Sequence, residues 1–421
     1  MIRVKLAELK PDMKTASDVT TDEGRLLLPS GTVLSDRSIR LLKAWGVIEA
    51  EIEHEGPLPC RDDAEERLDA EVLASVRRIN ERRFMHVDRE HPAMMELENI
   101  FTTKIARAIE QGLCEAEYFR EKDEPLVGLA EPGSIAPINL AQLSQVGLRL
   151  PTLPSVFNRI NEIIMNPNSS AGDIAHVVSK DSGLTSQLLG IVNSAFYGFV
   201  SKIDTVSRAV AIVGTKQLTS LVFGISVIKV FEKIPARHMD MKQFWRHSVA
   251  CGIAARIIAG YKNIQNTERL FVAGLLHDIG RLIMFRLWPE QSLQALLIAR
   301  RDSRLFYRVE KELFDIDHAG IGALMAERWK LPFLLESTIR YHHSPAASHN
   351  LLEASIVHLA DVIVHAMDMG SSGDPFVPPL DETAWDALAV SENMLTVIID
   401  QVERQIDEVT AYFFPNSKQE S

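Results

Sequence analysis

The residues of this chain best suited to chemistry are histidines and aspartates spaced along its second half. His277 and Asp278 stand together in the apolar run Gly274-Leu-Leu-His-Asp-Ile-Gly280. A buried imidazole or carboxylate needs a polar partner, so this pair is unusual in such a run. The two side chains could bind one metal ion, and the carboxylate could bridge to a second. By itself the dipeptide is weak evidence, because such pairs are often exposed.

Further histidines and one aspartate follow at intervals typical of successive helices. The seven candidate metal ligands are His247, His277, Asp278, His318, His342, His343 and Asp361. Imidazole and carboxylate together suit Fe, Mn or Zn better than Ca or Mg. Neighbouring residues of a helix point about 100° apart, so His342 and His343 could not easily share one small ion. The set therefore predicts one or two divalent metal ions. With a single ion, one of His342 and His343 would orient a ligand rather than bind the metal.

Helices must carry these residues. From about Leu140 to Pro415 the chain has the pattern of nearly continuous helix, broken by prolines and glycines such as Gly214 and Pro235. Strands and helices do not alternate, which argues against a parallel sheet. The predicted fold class is therefore mainly α, with an all-helical body that holds the candidate ligands.

Residues 1–54 have a different pattern and predict a small α+β module. Gly24 and Gly31 separate short apolar runs, which indicates strands joined by tight turns. Ser35 is predicted to cap a helix whose apolar residues fall within 39–45 and which Gly46 ends, and residues 47–52 alternate as a last strand. We expect this module to fold apart from the helical body.

A charged helical linker region is predicted for residues 55–137. Its helices are expected at about 64–84 and 93–121, each with many Arg and Glu residues and hence an exposed face. A solvated spacer or helical hairpin is the preferred interpretation. A dimerising coiled coil is the alternative, although no clean heptad run supports it. The body is then divided into residues 138–345 and a helical extension, 346–421.

Composition narrows the function classes. The chain has 421 residues and a net charge of −12, which indicates two or three domains and argues against nucleic-acid or anionic-membrane binding. No stretch reaches the roughly 18 apolar residues that a membrane span needs. Three scattered cysteines and an N-terminus without an apolar signal-peptide core favour a reducing, cytoplasmic location.

The order of the candidate ligands resembles a known superfamily. The order of His247, His277-Asp278 and Asp361 is similar to that in the HD superfamily of metal-dependent phosphohydrolases. The added histidines resemble the ligand set of the HD-GYP phosphodiesterases, which act on cyclic di-GMP. This resemblance implies an HD-like all-helical body, which residues 346–421 would complete.

Upstream motifs resemble a narrower family, the HDOD domain, an HD-related output domain of bacterial signalling proteins. The resemblance extends from about residue 140 to 340, and it implies a signal-transduction role. Its motifs are Leu150-Pro-Thr-Leu-Pro154, Asp181-Ser-Gly-Leu-Thr185, Asn193-Ser-Ala-Phe-Tyr-Gly198 and Val206-Ser-Arg-Ala-Val-Ala-Ile-Val-Gly214.

The sequence also departs from the HD-GYP enzymes. No Gly-Tyr-Pro tripeptide occurs, and Asp361 follows His343 by only 18 positions, too few to hold the Gly-rich loop of those enzymes. Ser344 stands where they have a glutamate, and Arg281 replaces the motif lysine. The resemblance therefore implies a retained metal site without the loop that recognises cyclic di-GMP.

Two functions remain open. The preferred one is a regulatory protein whose HDOD domain contacts signalling proteins. The sequence leaves open whether the chain forms a homo-oligomer. The alternative is a metal-dependent phosphohydrolase with a nucleotide ligand, in which Asp278 and Arg281 would be the catalytic candidates. In that case Arg281, Lys180 or Arg340 would contact phosphate.

Other polar residues have simpler interpretations. Asp181 is predicted to cap a helix rather than act as an acid. Asn193 and Tyr197 could form a binding loop, but a helix C-terminus that stops at Gly198 is the preferred interpretation. His358 is expected to support a ligand or to belong to the core. Seven further histidines, His54, His86, His91, His176, His238, His349 and His365, fit no pattern.

Limited proteolysis tests the predicted boundaries. Brief digestion should cut near 55–63 or 123–137, because exposed polar or proline-rich connections are preferred sites of nicking. The fragments can be identified by mass spectrometry. A single protected core that contains the first 60 residues would contradict a separately folded N-terminal module.

Overall fold

The computed structural model describes residues 2–5, 13–20, 26–35, 38, 42, 49–52, 70–123, 138, 159–160, 162–163, 170–199, 201–228, 231 and 239–413. It divides into two compact units, Met1–Leu73 and Ala74–Ser421. The four-part division predicted from the sequence stays a prediction. Its boundaries near 55–63 and 124–137, and the Leu150–Pro154 motif, lie outside the described residues.

The first unit contains short antiparallel strands. Strand β1 (Ile2–Lys5) pairs with β4 (Glu49–Ile52), and β2 (Val19–Thr20) pairs with β3 (Leu26–Leu28). A small apolar cluster forms their core, consisting of Val19, Leu34, Leu42 and Ile52. The predicted strands are confirmed, and β1 is an addition that the sequence pattern did not indicate. The helix predicted over 39–45 lies almost entirely outside the described residues.

Helices make up most of the second unit. Their bounds are α1 Ala70–Arg83, α2 Pro92–Glu110, α3 Glu115–Asp123, α4 Ala171–Ser179, α5 Ser182–Val192, α6 Val206–Val213, α7 Thr215–Ile228, α8 Met241–Tyr261, α9 Thr267–Leu276, α10 Ile279–Leu287, α11 Pro289–Arg301, α12 Phe306–Phe314, α13 His318–Arg328, α14 Phe333–Tyr341, α15 Leu351–Ala366, α16 Glu382–Leu388 and α17 Asn393–Phe413. The predicted mainly α fold class is confirmed.

Side-chain caps mark where several of these helices begin. Asp181 accepts a hydrogen bond from the Leu184 amide at the start of α5, which confirms its predicted capping role. Asp240 and Asp317 cap α8 and α13 in the same way. Each cap satisfies amides that the first helical turn would otherwise leave without partners.

The linker region is more closely packed than its charge suggests. Helix α2 buries Met94, Leu97 and Phe101, and it packs against α15 and α17. The single helix predicted over 93–121 is two helices, because Gly112 has a φ of +107° that a continuing helix cannot accommodate. Helix α2 therefore differs from the solvated spacer predicted from its charge.

Helix α8 is the centre of the helical unit. It packs against α9, α15 and α17, and its residues from Val249 to Ala255 are buried all round. A helix that is apolar on every side is typical of a protein core. None of the helices that the structure describes combines the length and apolar character needed to cross a membrane.

Glycines let the helices approach closely near the candidate ligands. A Cβ atom at Gly274 would lie 2.7 Å from the carbonyl oxygen of Cys251, where α9 crosses α8. A Cβ at Gly280 would lie 1.9 Å from the carbonyl oxygen of His318, where α10 meets α13. The loop after α15 approaches α8 through Gly370, whose φ is +88°. These three contacts each place two backbone segments directly beside one another.

A substitution at Gly280 tests this constraint. Gly280→Ala should lower the free energy of unfolding by about 1–3 kcal/mol or more, because the added methyl group has no space beside the His318 carbonyl. Gly260→Ala is the matched control, since nothing lies within 4 Å of a Cβ there. The control should be neutral or stabilising by up to about 1 kcal/mol through helix propensity. Equal denaturant midpoints for both variants and the parent would contradict the packing argument.

Candidate metal centre

The structure brings the seven predicted ligand residues together. Nε2 of His277 lies 3.4 Å from Oδ1 of Asp361, and Nε2 of His318 lies 2.9 Å from Oδ1 of Asp278. Six of the seven side chains are buried, and His343 is half-buried. No described member of the set faces away from the cluster, although the role of these residues as metal ligands stays a prediction.

More of the predicted ligands lie at helix ends than the sequence pattern indicated. His247 and Asp361 lie within α8 and α15. His277 and Asp278 form the turn between α9 and α10, although the sequence placed them within one helix. Helix α14 ends at Tyr341, so His342 and His343 lie on the turn that follows it. The backbone of His342 is still helical, with φ −64° and ψ −22°, yet the rings of His342 and His343 lie 3.9 Å apart between centroids.

Two of the histidines terminate their helices with the same hydrogen bond. Nδ1 of His277 donates to the carbonyl oxygen of Gly274 at 2.7 Å, and Nδ1 of His342 donates to that of Ile339 at 2.7 Å. Each carbonyl lies in the last turn, where carbonyl groups lack an intrahelical partner. A proton on Nδ1 leaves the Nε2 lone pair facing the centre of the cluster.

A carboxylate fixes His318 in the same orientation. Oε2 of Glu310 accepts hydrogen bonds from Nδ1 of His318 at 2.6 Å and from its backbone amide at 3.0 Å. Glu310 lies on α12 and is buried. A carboxylate behind an imidazole is the usual arrangement around protein-bound metals, because it sets the tautomer and raises the basicity of the free nitrogen.

Asp278 lies between two groups of imidazoles. Its Oδ2 atom is 3.5 Å from Nε2 of His277 and 3.8 Å from Nε2 of His247. Its Oδ1 atom is 2.9 Å from Nε2 of His318 and 3.8 Å from Nε2 of His342. Each oxygen therefore faces a different pair of nitrogens.

The first donor group joins α8, the end of α9 and α15. It consists of His247, Cys251, His277 and Asp361, whose donor atoms all lie within 4.8 Å of one another. The second donor group lies on the other side of Asp278 and consists of His318, His342 and His343, with the same spacing. The ring of Tyr307 stacks on that of His343, with centroids 4.1 Å apart.

The two carboxylates stay ionised. Burial alone would raise the pKa of Asp278, but Arg281, His277 and His318 outweigh burial and hold that pKa well below its usual value. Burial likewise acts to raise the pKa of Asp361, while His365, His247 and His277 lower it well below the usual value. Both side chains therefore present full negative charge to the centre at neutral pH.

The imidazoles respond to the same charges. Burial alone would lower the pKa of His318, but Glu310 and Asp278 reverse this and raise that pKa to about 9. Burial and the neighbouring His277 and His318 lower the pKa of His342 to about 3. A protonated His318 thus supplies positive charge to the metal-free cluster, while His342 remains a neutral donor.

The donor set fits divalent metal ions. Nε2 of His277 and Nε2 of His342 are buried and make no hydrogen bond within the part of the chain that the structure describes. Buried polar atoms without partners are rare, and they often mark the place of an ion or a water molecule. A cation between these nitrogens and the two ionised carboxylates would satisfy all of them. The group of imidazole and carboxylate donors could therefore hold a metal ion.

Comparison with known proteins supports the resemblance seen in the sequence. Residues 150–345 match the model of the HDOD domain family. This chain contains an HDOD domain. An uncharacterised protein of Treponema pallidum (strain Nichols) is 30% identical over 196 residues, which are 46% of this chain and 38% of that protein. The chain thus spans 38% of the length of this curated relative.

Two solved structures share the fold. An HDOD domain protein of Geobacter sulfurreducens aligns with a TM-score of 0.54 at 23% identity, over 64% of this chain and 96% of that chain. A protein of Shewanella amazonensis SB2B, provisionally described as a phosphohydrolase, aligns with a TM-score of 0.53 at 24% identity, over 65% and 98% of the two chains. At these identities the similarity concerns the fold, and it confirms the predicted HD-like helical body.

The candidate centre extends beyond the HDOD match. The match ends at residue 345, whereas Asp361 lies on α15, which follows it. The first donor group is therefore complete only when the HDOD domain is followed by this helix.

Two of the three predicted phosphate contacts have protein partners, and the third lies away from the cluster. Arg281 is buried, donates from Nη1 to the carbonyl oxygen of Ser372 at 2.8 Å and lies over the ring of Phe306. Arg340 pairs with Glu336 one turn earlier, at 2.6 Å. Lys180 is exposed at the end of α4, a helix that packs with α5, α6 and α7 rather than with the helices of the cluster.

His358 and Asn193 have structural roles. Nδ1 of His358 donates to the carbonyl oxygen of His342, and Nε2 accepts from the Asp381 amide. Both ring nitrogens are used, so His358 supports the turn of His342 and is not a ligand candidate. Asn193 caps the end of α5 and bonds to both backbone groups of Ile203, which agrees with a helix terminus, but the helix ends at Val192 rather than at the predicted Gly198.

Sequence reasoning missed three residues of the centre. Cys251 follows His247 by one helical turn, and His365 follows Asp361 by one turn, so helical spacing could have indicated both. Nε2 of His365 lies 3.4 Å from Oδ1 of Asp361. Glu310 gave no comparable signal, because it belongs to a different helix from His318 and meets it only in the folded HDOD domain.

Removal of the Glu310 charge tests its role behind His318. Glu310→Gln should weaken the binding of Mn²⁺ or Zn²⁺ by about 10- to 100-fold, the usual effect of losing such an outer partner. Glu312→Gln is the matched control on the same helix, where Glu312 pairs with Arg304 at the surface. Isothermal titration of metal-free protein measures both. Unchanged affinity in Glu310→Gln would contradict the assignment of His318 as a ligand.

Proposed function

We propose that this chain is a bacterial signal-transduction protein whose HDOD domain acts as a protein-interaction output module held in shape by a metal centre. The observation that carries the proposal is the position of Asp278, whose two oxygens face different pairs of imidazoles. Two divalent ions, of Fe, Mn or Zn, would suit this arrangement, with His247, His277 and Asp361 on one side and His318, His342 and His343 on the other.

A metal centre of this kind would stabilise the HDOD domain. Its donors come from α8, α13 and α15 and from the turns that end α9 and α14, so bound ions would crosslink five segments that are distant in the sequence. Without a cation, protonated His318 and Arg281 are left to balance the ionised Asp278. Binding to the folded state alone raises stability by about 2.7 kcal/mol when free metal is 100 times Kd.

The state of Arg281 favours a regulatory role over catalysis. A phosphate-binding arginine needs free donors that point into an open site. Arg281 is 2% exposed, Nη1 donates to the carbonyl oxygen of Ser372, and the guanidinium group lies over the ring of Phe306. Its Nε atom lies 3.5 Å from Oδ1 of Asp278 and makes no hydrogen bond within the described residues, so its donors face the protein interior rather than an open site. Metal and water can supply a nucleophile, but the rate also depends on holding the phosphate in line with it.

The chain after the paired histidines supports the same conclusion. A short 3₁₀ turn at Pro345–Ala347 follows His343, and α15 begins at Leu351. In the enzymes that the sequence resembles, a longer Gly-rich loop stands here. With so few residues between the turn and the helix, the HDOD domain lacks a comparable wall for a cyclic dinucleotide.

A metal-dependent phosphohydrolase is the second candidate, and one observation favours it. A carboxylate that faces two donor groups could be shared by two metal ions. Such ions, when bound, would lower the pKa of a water molecule toward neutrality and so supply a nucleophile. His343 is only half-buried, which leaves one side of the second donor group accessible. A nucleotide would have to enter there, beside Tyr307.

A hydrolysis assay separates the two functions. We expect purified protein supplied with Mn²⁺ or Fe²⁺ to show no appreciable hydrolysis of cyclic di-GMP. Asp278→Ala should instead lose bound metal, measured by elemental analysis, and lose the rise in melting temperature that added metal gives the parent. His349→Ala is the control, since it removes an exposed imidazole close to the centre in sequence.

The opposite result would be informative. Turnover by the parent that disappears in Asp278→Ala and persists in His349→Ala would establish the phosphohydrolase. Protein that contains no metal and gains no stability from it would contradict the metal centre itself. A loss of partner binding in Asp278→Ala, with folding intact, would support the output-module role.

A further inference from the structure

The structure assigns Cys251 as a thiolate ligand of the first donor group, which makes that group selective for zinc over manganese. The inference rests on the proposed metal centre and concerns which ion its first group takes. No other cysteine in the described part of the chain lies near the cluster, since Cys114 is exposed on the turn before α3.

Helical geometry aims the thiol at the centre. Cys251 and His247 are one turn apart on α8, so they share a face of that helix. Across from them, Asp361 and His365 are one turn apart on α15, which packs against α8. The Cys251 side chain is fully buried, and the close contact of Gly274 with its carbonyl group fixes the backbone at this point.

Four of the six distances between the donor atoms of the first donor group match those around one bound ion, and all six lie within 4.8 Å. Bonds of about 2.0–2.3 Å in a tetrahedral zinc site separate the ligand atoms by about 3.3–3.8 Å. Sγ of Cys251 lies 3.6 Å from Nε2 of His247 and 3.8 Å from Oδ1 of Asp361. The two histidine nitrogens lie 3.2 Å and 3.4 Å from that same oxygen, for His247 and His277.

An independent observation points to a ligand at this place. Nε2 of His277 is buried and makes no hydrogen bond within the described residues, while its Nδ1 is already used by Gly274. Its free lone pair faces the same space as the Cys251 thiol. A cation there would satisfy an atom that protein groups leave without a partner.

The chemistry of the donors distinguishes among metals. Two imidazoles, one thiolate and the carboxylate of Asp361, with the carboxylate of Asp278 that both groups share, form a borderline-soft set, and thiolate selects zinc over manganese or magnesium. On binding, the sulfur–zinc bond forms and the thiol proton leaves to solvent, because a coordinated thiol is deprotonated. The second donor group has no sulfur and keeps only imidazoles with the shared carboxylate of Asp278.

A structural role for the thiol is the competing interpretation. At 3.8 Å, Cys251 could act merely as a weak hydrogen-bond donor to Asp361. Serine preserves a donor and nearly the same shape but is a poor ligand for a soft ion. Cys251→Ser therefore separates the two interpretations.

Cobalt substitution gives a direct readout. Metal-free full-length protein is titrated with Co²⁺, and absorption spectra are recorded for the parent, Cys251→Ser and the matched control Cys114→Ser. We expect a thiolate-to-cobalt charge-transfer band in the near ultraviolet for the parent and Cys114→Ser. Cys251→Ser should lose this band and keep the weaker visible bands of cobalt bound to imidazole and carboxylate.

Competition between metals gives the second readout. Cys251→Ser should lose at least about tenfold in affinity for Zn²⁺, and its affinity for Mn²⁺ should change by less. Visible cobalt bands without a charge-transfer band in the parent would overturn the inference and leave the metal centre intact. A band that persists in Cys251→Ser would also overturn it. A parent protein that binds neither Co²⁺ nor Zn²⁺ would contradict both the metal centre and the inference. This outcome is read from the parent spectrum, so it does not depend on whether the variant folds.

Discussion

The negative charge of Asp278 in the interior of the helical unit is the constraint on which the rest of the centre depends. This carboxylate is 2% exposed, and an isolated buried charge would cost several kcal/mol. Imidazole nitrogens on both sides of it, together with Arg281, compensate that cost. Their positions require α8, α9, α10, α13 and α14 to meet around one side chain, which explains why these helices are packed so closely.

Close packing around Asp278 is made possible by residues without side chains. Gly274 lets α9 approach α8, and Gly280 lets α10 approach the first turn of α13. The glycine two residues after the His-Asp pair is therefore part of the site, because it sets the distance between Asp278 and His318. A methyl group at that point would move the second donor group away from the carboxylate that it shares with the first.

Helix termination contributes to the chemistry as well. His277 and His342 each donate Nδ1–H to the carbonyl group three residues earlier, so one hydrogen bond ends the helix and sets the imidazole tautomer. Glu310 sets the tautomer of His318 by accepting a hydrogen bond from its Nδ1. In this way secondary structure decides which nitrogen can bind a metal, and the HDOD fold presents Nε2 atoms to the centre.

The sequence by itself determined the mainly helical fold, the HDOD resemblance and the seven residues that meet at the centre, because helical periodicity and motif order are local properties. It also held the spacing that places Cys251 beside His247 and His365 beside Asp361. Only the structure showed that His277-Asp278 and His342-His343 lie on turns, because each helix ends where an imidazole Nδ1 donates to the carbonyl three residues earlier, and helical periodicity in the sequence does not signal that bond. Glu310 and the engagement of Arg281 with Ser372 join segments distant in sequence, and no local pattern encodes such contacts.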